Sequence, residues 1–359
     1  MDNKELEQML ASMARAGASS LHLIPGRPPC IRVQRQFVQS EHAAITVADV
    51  DELARDLLFE DHRDRLRRDG QVEVLYVAHS GRRFRTTVLQ QEAGLSLLFR
   101  PVPETPPQLR ELELPPQMGA FTQYRNGLVL VTGFFGSGKS STLAALVDRF
   151  NQETCKHVVT IEDPIEYLHP QGQALLHQRE IGPHVRDYAT GVAQATQLGA
   201  DVVVVAELRD GATLLAVLDA AEAGCLVFAG FDASSVIGAL TEVPMLVPAE
   251  ERERVRARLG VSLRAVTAQT LLPCAHKHGR VPMVEILISN SAVREAVLLG
   301  DYRELHAIMN RCRGLGMQTA DQALRGLLAH HLITPEEAQQ HATSPDQLQR
   351  TLAGQPGRR

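Results

Sequence analysis

The chain has 359 residues, a length that favours two domains over one. Hydrophobic residues make up 44% and charged residues 22%, so the chain is globular and can bury a sizeable core. Its net charge of −5 and its pI of about 6.3 argue against a surface built to hold nucleic acid.

The cysteines and the N-terminal residues indicate the cellular compartment in which the protein is expected. The five cysteines are scattered without a CxxC pair, which suits reduced cytosolic thiols better than a disulfide framework. The first residues form a charged amphipathic pattern and not a signal peptide. No apolar run approaches the roughly 20 residues that span a bilayer. We therefore expect a cytoplasmic protein that inserts no segment into a membrane and meets membranes only through partners.

The first hundred residues predict a small α+β domain. Apolar residues at helical spacing predict helices over 1–16 and 47–68, the second stopped by Gly70. Short β-rich runs predict strands at residues 21–24, 30–33, 72–77, 83–89 and 95–99. We expect this N-terminal domain to cover 1–102 and a stiff proline-rich linker to follow at 103–108.

Residues 109–345 are expected to form a second domain, of the α/β class. Strands are predicted at residues 128–131, 157–161, 201–206 and 225–229, and helices at 141–151, 188–198 and 212–223. Such alternation indicates a mostly parallel sheet with helices on both faces, and ligands at the carboxyl ends of its strands. Beyond residue 235 we expect mostly helix, ending in helices at 320–331 and 334–341. A flexible tail is expected at 346–359.

One stretch of the second domain carries the clearest chemical signal. An apolar run at 128–131 leads into Gly133-x-x-x-x-Gly138-Lys139-Ser140, and an amphipathic segment follows directly. Strand, glycine loop and helix in that order are the context of a P-loop, whose backbone N–H groups and helix N-terminus bind phosphate. Lys139 is placed to reach the β- and γ-phosphates, and the Ser140 hydroxyl to hold Mg²⁺. We expect a nucleoside triphosphate to be bound by Gly133, Gly136, Ser137, Gly138, Lys139, Ser140 and Ser141.

Two groups of carboxylates are expected near this loop. Glu207 ends an apolar strand, as a residue that supports Mg²⁺ should, and a second group follows the strand at 157–161. Both lie at carboxyl ends of strands in the sheet that carries the P-loop, so we expect phosphoryl transfer to water. The second group consists of Glu162, Asp163 and Glu166.

Four ordered motifs resemble those of the secretion ATPases that drive type IV pili, and most closely those of PilT-type retraction ATPases. They are the glycine loop, TIEDPIE at 160–166, AELRD at 206–210 and AEAGCLVF at 221–228. The similarity runs from residue 17 to residue 321 and includes SAVREAV at 291–297, which is similar to the family's AIRNLI-type segment.

The resemblance implies a PAS-like N-terminal domain and a RecA-like ATPase domain with a helical C-terminal region, assembled as a homo-hexamer. It implies that ATP hydrolysis with Mg²⁺ powers pilus retraction and twitching motility, against an inner-membrane pilus platform protein at the cytoplasmic face of that membrane. By the same resemblance Glu166 is the catalytic glutamate and Glu207 the Walker B glutamate near Mg²⁺. Arg85 and Arg100 match the N-terminal arginines that reach the nucleotide phosphates.

The sequence departs from the family at its His box. The family's GHLVF and TLHT are replaced by Gly-Cys225-Leu-Val-Phe and Gly-Phe-Asp232-Ala, so both histidines are absent. A γ-phosphate sensor is then missing, and Asp232 brings a negative charge to its place. The alternative function is a nucleotide-binding but hydrolysis-impaired regulatory paralogue that acts with an active retraction ATPase. A motor acting on nucleic acid is a third reading, which the acidic pI disfavours.

The positions of Arg85 and Arg100 in the sequence predict that several copies of the chain assemble into a ring. Arg85 and Arg100 precede the proline-rich linker, and the P-loop domain itself supplies few arginines near its motifs. In other NTPases a neighbouring subunit supplies such an arginine in trans. We therefore expect a ring with ATP near domain or subunit junctions.

Overall fold

The computed structural model describes residues 3–33, 36–103, 105–276 and 279–343, which form two compact units. The first unit comprises residues 1–105 together with two short segments from further along the chain, 163–168 and 180–184. The second comprises the remaining residues from 106 onward. The domain limits at 102 and 109 stay predictions, and the predicted tail at 346–359 lies outside the described residues.

The first unit is built on a six-stranded antiparallel sheet in the order β3-β2-β1-β6-β5-β4. Helices pack on it around a core that includes Leu6, Leu10 and Met13 of the first helix. Its elements are α1 (Asn3–Arg15), β1 (Ser20–Leu23), β2 (Cys30–Val33), β3 (Gln36–Gln39), α2 (Val47–Leu57), α3 (Glu60–Asp69), β4 (Gln71–Val77), β5 (Arg83–Gln91) and β6 (Gly94–Pro101).

The single helix predicted over 47–68 is wrong, because the structure has two. Leu58 and Phe59, between α2 and α3, are extended. Leu58 is buried, so the break lets its side chain enter the core of the unit. Apolar spacing did not reveal the break because each helix buries residues at helical spacing: Val50, Leu53 and Ala54 in α2, and His62 and Leu66 in α3. Gly70 ends α3 in the left-handed conformation, as predicted.

The second unit is built on a seven-stranded sheet in the order β13-β12-β7-β11-β10-β8-β9. Its strands are β7 (Gly127–Thr132), β8 (His157–Glu162), β9 (Leu175–Glu180), β10 (Val202–Val205), β11 (Leu226–Phe231), β12 (Leu263–Pro273) and β13 (Arg280–Ile288). β12, β7, β11, β10 and β8 are parallel, and β13 is antiparallel to β12. The mostly parallel sheet predicted from the sequence is confirmed.

Helices cover this sheet and continue to residue 341. They are α4 (Lys139–Glu153), α5 (Tyr188–Gln197), α6 (Gly211–Glu222), α7 (Val236–Glu242), α8 (Arg252–Ser262), α9 (Ser291–Leu299), α10 (Leu305–Arg311), α11 (Ala320–Ala329) and α12 (Pro335–His341). Short 3₁₀ helices lie at Pro116–Gln123, Val243–Leu246, Ala249–Glu251 and Arg313–Leu315. Among the described helices none is long and apolar enough to cross a membrane.

Four strands were not predicted: β3, β9, β12 and β13. The last two matter for the site, because they interrupt the stretch after residue 235 that was expected to be mostly helical. β12 adds to the free edge of β7, the strand that leads into the glycine loop. A strand is therefore available on each side of β7 to contact that loop.

Candidate functional site: a P-loop and an arginine–carboxylate cluster

The glycine loop follows β7 directly, and α4 begins at Lys139. All six residues of β7 are buried, so the loop starts from a fixed point in the sheet. Gly133 has φ 148°, and a Cβ there would lie 2.4 Å from Ser137 Oγ and 2.5 Å from the Gln269 carbonyl oxygen. Only glycine fits this position. The predicted order of strand, glycine loop and helix is present.

The Lys139 side chain is folded against its own loop. Its Nζ donates to the carbonyl oxygens of Gly133 at 2.6 Å and Phe134 at 3.3 Å. The same Nζ donates to Asp232 Oδ1 at 2.7 Å. The lysine side chain is 13% exposed and the aspartate side chain 52% exposed. A carboxylate of the chain itself thus pairs with the ammonium group that a P-loop offers to phosphate.

Gln269 on β12 joins the loop to α4. Its buried side-chain amide donates to the Ser137 carbonyl oxygen at 2.8 Å and accepts from Thr142 Oγ1 at 3.0 Å. Gln269 was not identified from the sequence, although a glutamine inside an apolar run indicates a buried side chain that makes hydrogen bonds. Arg280, at the start of β13, places Nη1 3.4 Å from the Gly136 carbonyl oxygen. The second unit therefore brings one arginine of its own to the loop.

Two of the predicted carboxylates, Glu207 and Glu162, lie along the same edge of the sheet as the P-loop. β7, β11, β10 and β8 are parallel neighbours, so the residues at their carboxyl ends are adjacent along that edge: the glycine loop, Asp232, Glu207 and Glu162. Glu207 Oε2 accepts from Arg209 Nη2 at 2.6 Å, and its side chain is 34% exposed. Glu162 Oε1 accepts from Thr160 Oγ1 at 2.7 Å and Gln178 Nε2 at 3.1 Å.

Position 225 lies away from this edge. Cys225 precedes β11, and its carbonyl oxygen accepts from the N–H of Gly127, the first residue of β7. The buried thiol donates to the Ala200 carbonyl oxygen at 3.1 Å, and burial raises its pKa. The two departures from the His box therefore have different meanings, because Asp232 contacts the P-loop and Cys225 is at the opposite end of the same strand.

Arg85 and Glu166 are brought together in the first unit. Arg85 Nη1 donates to Glu166 Oε1 at 2.7 Å, while Arg85 Nε donates to Glu73 Oε2 at 2.6 Å. Arg100 lies directly opposite Arg85 in the β5–β6 pair, and its Nη1 is 3.8 Å from Glu73 Oε1. Like charges opposite one another destabilise a strand pair, so Glu73 on β4 balances both arginines. Thr87 Oγ1 fixes the carboxylate of Glu73 with a bond of 3.0 Å.

Asp163 belongs to the same unit and is held separately. Its side chain is 9% exposed and accepts from Arg65 Nη2 at 3.4 Å.

The predicted site residues fall into two groups, one in each unit. Arg85, Arg100, Asp163 and Glu166 lie in the first unit, and the glycine loop, Glu162 and Glu207 in the second. Glu73, like Gln269, was not found from the sequence, because its importance depends on a cross-strand contact.

Comparison with known proteins gives one consistent family. A family model described as type II/IV secretion system protein matches residues 3–313. The type IV pilus retraction ATPase PilT of Pseudomonas aeruginosa is 35% identical over 346 residues, covering 95% of this chain and 99% of that protein. A twitching motility protein of Neisseria gonorrhoeae is 33% identical over 320 residues, 89% of this chain and 86% of that protein.

Solved structures agree with the sequence comparison. A crystal structure of the pilus retraction motor PilT with bound ADP is similar to this chain with a TM-score of 0.85 and 32% identity. The likeness covers 96% of this chain and 98% of that one. It extends over an N-terminal domain and a RecA-like ATPase domain, the architecture expected from the sequence.

Proposed function

This chain belongs to the type II/IV secretion system protein family, and we propose that it is an ATP-driven motor of the type IV pilus machinery that powers pilus retraction and twitching motility. The observation that carries the proposal is the P-loop, with a glycine turn that tolerates no Cβ at Gly133 and with Lys139 at the start of α4. The similar PilT motor, solved with ADP, supports the choice of nucleotide.

In this proposal the second unit binds the phosphates of ATP. Backbone N–H groups of the loop and the N-terminus of α4 face the phosphate oxygens, and Lys139 neutralises them. Ser137 Oγ is buried without a hydrogen-bond partner among the described residues, which suits a loop that closes around a polar ligand. Loop residues Gly133, Gly136, Ser137, Gly138, Ser140 and Ser141 complete the cradle.

Mg²⁺ fits the oxygen donors on this edge. The exposed Ser140 hydroxyl in the first turn of α4 and the partly exposed Glu207 carboxylate are the hard ligands that this ion prefers. They would hold the ion, which when bound neutralises phosphate charge. Arg209 orients the Glu207 carboxylate through its hydrogen bond of 2.6 Å.

For hydrolysis we assign Glu166 as the base that accepts a proton from the attacking water. Its carboxylate accepts a hydrogen bond of 2.7 Å from Arg85 Nη1, which fixes its direction. Glu162 and Asp163 support the same stretch through their own hydrogen bonds. Arg85 and Arg100 stabilise charge that develops on the phosphates.

Assembly follows from the family and from the position of the arginines. We propose a homo-hexamer that acts on an inner-membrane pilus platform protein at the cytoplasmic face, without inserting into the membrane and without binding nucleic acid. An association with a paralogous retraction ATPase is part of the alternative function below. The similar PilT and secretion ATPases support an oligomeric motor.

Equilibrium ATP binding to the wild type and to Lys139→Ala tests the proposal. We expect wild-type binding in the presence of Mg²⁺ and a loss of at least about tenfold in affinity in the variant, because the ammonium group is removed from the phosphates. Glu250→Gln, an exposed carboxylate in the 3₁₀ helix Ala249–Glu251, is the control. A wild type that does not bind ATP, or that binds it no better than Lys139→Ala, would refute the proposal.

One observation favours the second candidate, a hydrolysis-impaired regulatory subunit. The Asp232 carboxylate accepts a hydrogen bond from Lys139 Nζ, and the family has a histidine at the position of Asp232. Steady-state phosphate release separates the two functions when it is measured for the pure protein and for its mixture with an active retraction ATPase. Release by the pure protein that disappears in Glu166→Gln supports the motor. No release alone, with a changed rate in the mixture, supports the regulatory subunit.

A further inference from the structure

We propose that Asp232 is a specificity-determining residue of the nucleotide site, and that it biases this P-loop toward nucleoside diphosphate over triphosphate. This inference rests on the proposed nucleotide binding and goes beyond it, because it says which charge state of the ligand the site prefers. It starts from the bond of 2.7 Å between Lys139 Nζ and Asp232 Oδ1.

The ammonium group of Lys139 has three N–H donors, and in the structure it contacts three acceptors. Two of these acceptors are the carbonyl oxygens of Gly133 and Phe134, and the third is the carboxylate of Asp232. A terminal phosphate that approaches Lys139 must therefore displace the carboxylate or share the cation with it. Since the lysine side chain is only 13% exposed, water screens this competition weakly on the lysine side.

The backbone of Asp232 is held in place, because the chain after it is anchored. Ala233 is fully buried, and Ser235 caps α7 by accepting from the Gly238 N–H at 3.0 Å. The Val236 N–H donates to the buried carboxylate of Glu285 at 3.0 Å. With β11 on one side and these bonds on the other, the Asp232 backbone stays at the loop. Its carboxylate can leave Lys139 only by rotating about its own side-chain bonds.

The two nucleotides meet this carboxylate differently. A P-loop lysine contacts both β- and γ-phosphates. A diphosphate brings the lysine one phosphate group, whereas a triphosphate brings a second, charged group that must share the ammonium group with Asp232. A histidine at this place is able to donate to phosphate, but an aspartate repels it. The carboxylate therefore penalises ATP more than ADP.

Binding of ADP and of an imido-linked, non-hydrolysable ATP analogue is measured by calorimetry, with Mg²⁺, for the wild type and three variants. Asp232→Asn keeps the size and removes the charge, Asp232→Glu keeps the charge, and Glu250→Gln removes an exposed carboxylate elsewhere. We expect Asp232→Asn to tighten the analogue by about tenfold and ADP by about threefold or less. Asp232→Glu and Glu250→Gln should keep the wild-type ratio of the two affinities.

An unchanged ratio of affinities in Asp232→Asn overturns the inference while leaving the proposed function intact. A shift of the same size in Glu250→Gln also overturns it, because the effect would then follow net charge and not position. Failure of the wild type and of all variants to bind either nucleotide refutes the proposed function itself, and the inference with it. Circular dichroism of each variant establishes that the fold is retained.

Discussion

Replacing Gln269 with leucine removes the amide that joins the P-loop to the first turn of α4. The residue is 2% exposed. Its side chain donates to the Ser137 carbonyl oxygen and accepts from the Thr142 hydroxyl, and both partner residues are buried. In Gln269→Leu each partner loses its bond without gaining water, at a cost of about 1–3 kcal/mol apiece. We expect the free energy of unfolding of the second unit to fall by about 2–6 kcal/mol.

The assay combines urea unfolding with nucleotide binding. The chain has no tryptophan, so unfolding is followed by circular dichroism. We expect a lower urea midpoint and, because the loop loses its support, ADP affinity lower by about tenfold or more. Thr142→Val removes one of the two bonds and should show the smaller effect. Gln197→Leu, at the exposed end of α5, is the control. If Gln269→Leu kept both the wild-type midpoint and the wild-type affinity, the structural role of Gln269 would be refuted.

Three further predictions concern separate parts of the two units. Gly133→Ala places a Cβ 2.5 Å from a backbone oxygen, so we expect nucleotide affinity to fall by about tenfold or more in calorimetry while the overall fold is retained. Glu73→Gln leaves Arg85 and Arg100 opposite one another, which should lower the free energy of unfolding of the first unit by about 1 kcal/mol, seen as a lower urea midpoint. Burial lowers the pKa of His169 to about 4, so the unfolded chain binds more protons between pH 6.5 and pH 4. Stability should fall by up to about 3 kcal/mol as the pH falls through this window, and His169→Asn should remove that part of the dependence in urea titrations at pH 7 and pH 4.5.

The parts of the fold that were predicted from the sequence are those set by local pattern. Gly133, Gly138 and Lys139 lie between the end of β7 and the first residue of α4, as their spacing directly after an apolar run predicted. The parallel strands β7, β8, β10 and β11 were predicted for the same reason, since each is a continuous apolar run, whereas the parallel strand β12 was not predicted.

The contacts that decide the chemistry were not predictable in this way. Asp232 meets Lys139 from 93 residues away, and Gln269 meets Ser137 from 132 residues away. Both pairings depend on which strand lies beside β7, and the sequence does not state the strand order. The importance of Glu73 depends on strand register, which places Arg85 opposite Arg100. The break at Leu58 was hidden because the apolar spacing continues on both sides of it.

The most direct test of the proposed motor is steady-state phosphate release from Mg-ATP by the pure protein and by Glu166→Gln, with Glu250→Gln as the carboxylate-to-amide control. We predict that the wild type and the control hydrolyse ATP, and that the rate of phosphate release by Glu166→Gln is lower by about a hundredfold or more. A wild type that binds ATP but releases no phosphate, or a Glu166→Gln variant that hydrolyses at the wild-type rate, would contradict it.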